Sequence, residues 1–360
     1  MRTRLILIGS AVALAAIFWW LGFHARPQQV AGSVSGQATP ARVVPLPATA
    51  GETLADAAPT AIYAHNLLLH KGPSFRIYIL WLRGQMLRTE SARNPSFDDV
   101  NSFLLDIQKG VIHVSLKDLA QFLNAGTVPN TPLTHVSLTE SKGQVQLHGT
   151  AHKLIPLPVE LAGTLSVTSD NHVHFHVEHL GLFKVPLKGL LGGFDITLAD
   201  LVRSNTPGVQ IAGNDVIFDT EVLLPAPHIR GALTGVSLVT DKEGTAIEAT
   251  YGNAKSDPTH EQQWHNFLQL SDGTLDFGKL TMHHVDLIMV DASKDPWFDL
   301  DLSNYQAQLV NGITRMTPQA GLQIFMPDLD DMPPQKAKQF ITMEWLKHRS
   351  LPPPPDIPYK

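Results

Sequence analysis

An α+β fold, mainly antiparallel β, is expected for this chain: curved meander sheets packed on a few short helices, behind one N-terminal transmembrane helix. Three observations predict it. Apolar residues recur with a period of two over most of the body, as in strands with one buried face. Gly and Pro number 26 each, a supply of turn formers suited to many short strands. The stretch from Leu5 to Phe23 is uncharged and largely apolar, long enough to cross a hydrocarbon core about 30 Å thick as a helix.

That stretch follows Arg2 and Arg4 and ends in Phe18, Trp19, Trp20 and Phe23, aromatic residues suited to a membrane–water interface. It exceeds the roughly 7 to 15 apolar residues of a secretory signal, so residues 1–24 read as a signal anchor. The small residues Ala38 to Ala41 offer an alternative at which the chain could be cut. The short basic start places the body on the exported side, in the periplasm, tethered to the inner (cytoplasmic) membrane of the cell envelope. Residues 25–58, rich in Ala, Pro, Gly, Ser and Thr, read as a flexible linker. The β-rich body is expected over residues 59–332. Residues 333–360 read as an amphipathic helix, Gln335 to Arg349, and a Pro-rich tail.

Composition narrows the partners. The chain carries 27 basic and 33 acidic side chains, a net charge of −6, without the strong positive field that phosphate backbones attract. No nucleic-acid partner is expected. With no cysteine, a lipoprotein anchor, a disulfide framework and a thiolate metal site are all excluded.

The strands follow in order. Phe75 to Leu82 reads as an early strand flanked by Arg76, Arg83 and Arg88. Asn94-Pro-Ser96 ahead of Asp98-Asp99, Val100, Phe103, Leu104 and Ile107 reads as the start of a capped amphipathic helix. Val136 and Leu138 alternate into the turn Glu140 to Gly143 and resume at Val145 and Leu147, a hairpin. A second hairpin joins Leu165 and Val167 to Val173, Phe175 and Val177 through Ser169-Asp170-Asn171. A third joins Val236 and Leu238 to Ile247, Ala249 and Tyr251 through Asp241 to Gly244. Leu275 and Phe277, with Val285, Leu287 and Met289, continue the alternation. Gly321 to Met326 reads as an apolar edge able to meet a partner or ligand.

Ile112 to Leu119 aligns without gaps with Phe194 to Leu201, Asp118 matching Asp200, and Phe298 to Asn304 resembles the opening of both. Each short strand reaches a residue able to cap a helix, as Leu119, Phe122 and Leu123 then show helical spacing. Two accounts stay open: an internal repeat with halves at about 97–193 and 194–332, and chance likeness of short strand-to-helix junctions.

The order of a strand into a helix over Val114 to Asn124, a hairpin over Leu133 to His148, and Pro158 to Val177 with its Gly-Thr-Leu and turn, resembles small exported bacterial proteins of the tubular lipid-binding (TULIP) superfamily. The resemblance covers about 97–251, with 275–326 as an extension. It implies a long curved sheet around helices and an apolar groove for acyl chains, and it brings no catalytic set. This chain departs from the family in its short helices, where the family's principal helix is long. An AsmA-like or other repetitive-β body, also held by one N-terminal span, accounts for the same pattern.

The groove candidates lie in one glycine-rich stretch. Leu182, Phe183, Leu187, Leu190, Leu191 and Phe194 sit among Gly181, Gly189, Gly192 and Gly193, with Lys184 and Lys188 as cationic heads suited to lipid phosphate. The simpler reading of the same stretch is a connector that crosses the sheet and buries its leucines. His172, His174 and His176 share one face of a strand, and neighbouring imidazoles there can chelate zinc or copper. The outer two would lie about 13 Å apart at a strand rise of roughly 3.3 Å, so one ion cannot take all three. A polar outer strand face is the simpler reading.

No Gly-x-Ser-x-Gly elbow, P-loop, dinucleotide fingerprint or His-Glu-x-x-His occurs. The expectation is therefore a non-enzymatic, cofactor-free envelope protein that binds or transfers a membrane lipid or another amphiphile in an apolar groove. The alternatives are a scaffold or assembly module that recruits an envelope protein partner, and a histidine–metal enzyme.

Overall fold

Strand pairing follows the period-two pattern over most of the body. The computed structural model describes residues 58–333, apart from 72–74, 91–92, 127–132, 153–155, 183–197, 202–205, 255–263 and 279. The expected membrane span, the linker, and the C-terminal helix and tail lie outside the described residues. Among the described residues, seventeen strands and four short helices are found, a mainly β fold consistent with the α+β class. No helix among them is long and apolar enough to cross a membrane.

The main sheet is opened by β1 (Thr60–His70), β2 (Arg76–Arg88) and β3 (Phe103–Ser115), which pair antiparallel in that order. Helix α1 (Leu116–Asn124) then leads into a second sheet. That sheet holds β4 (Leu133–Ser141), β5 (Gln144–His152), β6 (Pro156–Val167), β7 (Val173–Leu182), β8 (Val209–Ala212) and β9 (Asp215–Phe218), with the one-turn helix α2 (Leu198–Leu201) between β7 and β8. Its spatial order is β4-β5-β6-β7-β9-β8. Helix α3 (Thr220–Leu223) returns the chain to the main sheet through β10 (His228–Gly231), β11 (Leu233–Asp241) and β12 (Gly244–Tyr251). The remaining strands are β13 (Phe267–Phe277), β14 (Leu280–Asp291), β15 (Phe298–Asp301), β16 (Ile313–Met316) and β17 (Leu322–Met326), with α4 (Tyr305–Asn311) between β15 and β16.

The main sheet runs β11-β12-β3-β2-β1-β13-β14-β17-β16, with β10 also on β3 and β15 also on β1. Two long strands therefore share an edge between two partners. Ala61–His65 of β1 pairs antiparallel with β13, and Leu67–His70 pairs parallel with β15. Asn66 sits at the changeover with φ +46 and hydrogen bonds Asn266. On β3, Leu104–Ile107 takes β10 and Gly110–Ser115 takes β12. Register shifts in the β2–β3 ladder at Ile79/Trp81 and Arg83/Gly84 increase local twist, as bulges do.

The three expected hairpins form as β4–β5, β6–β7 and β11–β12, and Leu275 to Met289 forms a fourth, β13–β14. The strand-to-helix junction is found at Val114–Leu116, where Ser115 caps α1 by accepting the Asp118 N–H at 2.9 Å. It is found again where β15 leads to α4. The second sheet draws strands from both sides of the 193/194 division. Two expectations are corrected. The segment after Asp98-Asp99 is the strand β3, not a helix: Phe103, Leu105 and Ile107 are buried in alternation against β2, and sheet pairing outweighed the i, i+3 spacing that Phe103 and Leu104 share with Val100 and Ile107. Gly321 to Met326 is no exposed edge, since β17 lies between β14 and β16 and buries Ile324, Phe325 and Met326.

The largest core lies on one face of the main sheet, with Phe75, Ile77, Phe103, Leu270, Leu287 and Phe298 almost wholly buried. A smaller core on the second sheet centres on Val159, Leu161, Phe175, Val177 and Val216. Between these two cores lies the space that the next section describes.

Candidate functional site

The apolar faces of the two sheets do not close on each other completely. A chamber of about 180 Å³ remains between them. From the main sheet its wall includes Ile77, Ile112, Val114, Leu233, Ile247 and Ala249. These residues alternate along their strands, so one face of β3 and β12 points into the chamber. Helix α1 contributes Leu119 and Leu123, four residues apart and therefore on one helix face. From the second sheet come Leu138, Val145, Leu147, Leu165, Phe175 and Phe218. Helix α3 adds Leu223.

Several of these side chains, among them Leu119, Leu123, Leu138, Leu147, Leu165 and Phe218, are only partly buried. Core leucines are ordinarily closely packed, so this lining retains apolar surface that an occupant would cover. The polar groups of the wall are the hydroxyls of Tyr251 and Thr220, which share a side-chain hydrogen bond, and burial pushes the Tyr251 phenol up to about 12. The chamber is smaller than the roughly 300–1,000 Å³ typical of drug-sized sites.

Helix α1 is set over the chamber by a polar clamp. Asp118 is 1% exposed and accepts from Arg76 Nε at 3.1 Å and from Arg76 Nη2 at 2.9 Å, both on Oδ1. Its Oδ2 accepts from the Ser115 hydroxyl at 2.6 Å. At the far end of the helix, Asn124 makes paired bonds with Val136 of β4, donating to its carbonyl at 2.7 Å and accepting its N–H at 2.8 Å.

The sequence-predicted groove residues fare differently. Leu182 closes β7, opposite Val159 of β6. Phe183, Lys184, Leu187, Lys188, Leu190, Leu191 and Phe194 lie outside the described residues. The apolar lining that is observed comes from the hairpin strands, whose alternation was legible; that two sheets leave a gap between their faces has no signal in the sequence.

The histidines gain a partner that sequence reasoning missed. Phe175 and Val177 of β7 are buried, while His174 and His176 project from the opposite face. Asp215 is the cross-strand neighbour of His176 on β9. Its Oδ1 lies 2.7 Å from His176 Nδ1 and 2.8 Å from His174 Nε2. Hydrogen bonds from His176 and then His174 hold the Asp215 carboxyl below its ordinary range. Ser166 Oγ lies 3.0 Å from His174 Nδ1. The three ligand atoms fall within 4.8 Å of one another, a donor set that zinc or copper accepts. His172 stands apart, 4.0 Å from Asp219.

A second cavity, of about 520 Å³, is more polar. Lys71, Phe97, Asp98, Pro225, Leu302 and Tyr305 are part of its wall. Lys71 is 4% exposed and donates from Nζ to the Pro227 carbonyl at 2.8 Å; burial lowers its pKa to about 7. Tyr305 donates to Asp98 at 2.8 Å, and Gln306 donates to the same oxygen. Burial, followed by the Asp98 carboxylate, raises the Tyr305 phenol.

No known protein family is matched by the chain, and no curated protein or solved structure is matched either. The fold and cavities define it as a two-sheet β protein with an apolar chamber between the sheets.

Proposed function

We propose that this protein binds a single-chain amphiphile, holding its acyl tail in the chamber between the two sheets. The observation that supports this reading is the chamber wall, in which both sheets and α1 present apolar side chains that remain partly uncovered. Covering apolar surface favours the bound state by about 25 cal/mol per Å². The Tyr251–Thr220 pair gives the wall a single polar spot that can orient a ligand. In this reading the Leu5 to Phe23 segment keeps the chamber beside the membrane from which the amphiphile comes. The role is binding or transfer, without chemistry on the ligand.

Mass spectrometry of lipid extracted from the purified protein tests the reading, together with titration of a fluorescent single-chain fatty acid. One tail per chain is expected, and Leu165→Trp, which occupies part of the chamber, should weaken probe binding while leaving the fold intact. An empty protein that fails to bind the probe, or a Leu165→Trp variant that binds as well as the wild type, would overturn the proposal.

A further inference from the structure

The chain returns twice to one end of the main sheet carrying carboxylates. β14 and β17 are parallel neighbours, and Asp291 and Met326 are register partners at their C-terminal ends. Residues just beyond either strand therefore share one place. Beyond β14 the chain runs Asp291-Ala-Ser293-Lys-Asp295-Pro-Trp297, and beyond β17 it runs Pro327-Asp328. Oxygens of Asp291, Asp295 and Asp328 all lie within 4.8 Å of one another.

Asp328 is the informative member. It is 3% exposed, and its Oδ1 accepts the Asp299 N–H at 3.1 Å. Its Oδ2 is buried without a hydrogen-bond partner. Among the described residues no lysine or arginine forms an ion pair with any of the three aspartates. Like charges at such range, one of them buried, demand a cation or a shared proton.

The ligand chemistry selects the cation. Asp-x-Ser-x-Asp places oxygen side chains at alternate positions of a loop, as calcium loops do at their first, third and fifth positions. Ser293 Oγ accepts the Asp328 N–H at 2.9 Å, which ties the loop to the remote carboxylate. Oxygens on opposite sides of a calcium ion stand about 5 Å apart, since each lies roughly 2.3–2.6 Å from the metal. One ion can therefore touch all three. A set made only of oxygens, with no imidazole or thiolate, favours a hard cation over zinc or copper.

We propose that Asp291, Asp295 and Asp328, with Ser293 beside them, form a calcium site that locks the β14–β15 loop to the end of β17. Calcium should bind the chelator-treated full-length protein with a stoichiometry of one and raise its melting temperature, because a ligand of the native state alone stabilises that state. Asp295 is exposed, so Asp295→Asn should fold normally and weaken calcium binding by at least roughly tenfold. Asp328→Asn should abolish the calcium response and raise the melting temperature of the calcium-free protein, having removed the uncompensated buried carboxylate. The proposal is overturned if titration with calcium chloride to millimolar levels gives neither heat nor a melting shift, which would leave a shared proton as the account. It is equally overturned if the two variants respond to calcium as the wild type does.

Discussion

Arg76 and Asp118 are joined by two hydrogen bonds to a single carboxylate oxygen, at 3.1 and 2.9 Å, across 42 residues of sequence. Arg76 opens β2, Asp118 lies in the first turn of α1, and the pair fixes the helix whose Leu119 and Leu123 line the chamber. Removing the arginine leaves a buried carboxylate without its cation. Because the arginine side chain is 35% exposed, solvent screens part of the loss. Arg76→Ala should therefore cost about 1–3 kcal/mol, below the range for fully buried pairs. Adding Asp118→Asn should recover part of that loss, and Ser115→Ala alone should cost about 1 kcal/mol through the lost cap. Urea denaturation of the three variants measures all of this.

Lys71 gives stability a defined pH dependence. Its pKa is about 7 in the folded protein, against 10.5 for an ordinary lysine, so between those values the unfolded chain holds a proton that the native chain lacks. The Lys71 contribution to stability then rises with pH across that window, by on the order of 1 kcal/mol per pH unit. Above about pH 10 the sign reverses. The phenols of Tyr251, at about 12, and Tyr305 stay protonated in the fold when the unfolded chain has lost those protons. Lys71→Met should remove the Lys71 contribution, so the difference between wild-type and Lys71→Met denaturant midpoints is expected to grow from pH 7 to about pH 10.

Gly163 is held to glycine by close approach. A Cβ there would lie 2.0 Å from the His176 carbonyl oxygen and 2.9 Å from the Phe175 ring, at the register shift of the β6–β7 ladder. Gly163→Ala should force the two strands apart and destabilise the protein by about 1–3 kcal/mol. Since Phe175 lines the chamber, the same variant should weaken fatty-acid probe binding, whereas Gly143→Ala, at an open turn with φ +79, should leave probe binding unchanged.

Tyr251→Phe should cost about 1–2 kcal/mol, because it strands the Thr220 hydroxyl in an apolar wall. Pairing it with Thr220→Val should restore much of that loss. Thermal melting of the single and double variants provides the measurement.

Period-two alternation was enough to read Val136 to Leu147, Leu165 to Val177 and Val236 to Tyr251 as hairpins and Leu275 to Met289 as further strand, because a strand with one buried face writes its burial into every second residue. The Ser115 cap was equally legible, since capping chemistry is local. Phe103 to Ile107 was not: its apolar spacing suits a helix start as well as a strand, and β2 on one edge with β10 on the other resolved the choice. Asp215 joins two histidines, and Asp328 joins Asp291 and Asp295, through ladders that bring remote residues into register. The chamber is less local still, for alternation says which side chains turn inward but not whether two inward faces meet. Local patterning thus supplied the strands, turns and cap, while the clusters and the cavity arose from long-range pairing, whose register no single segment contains.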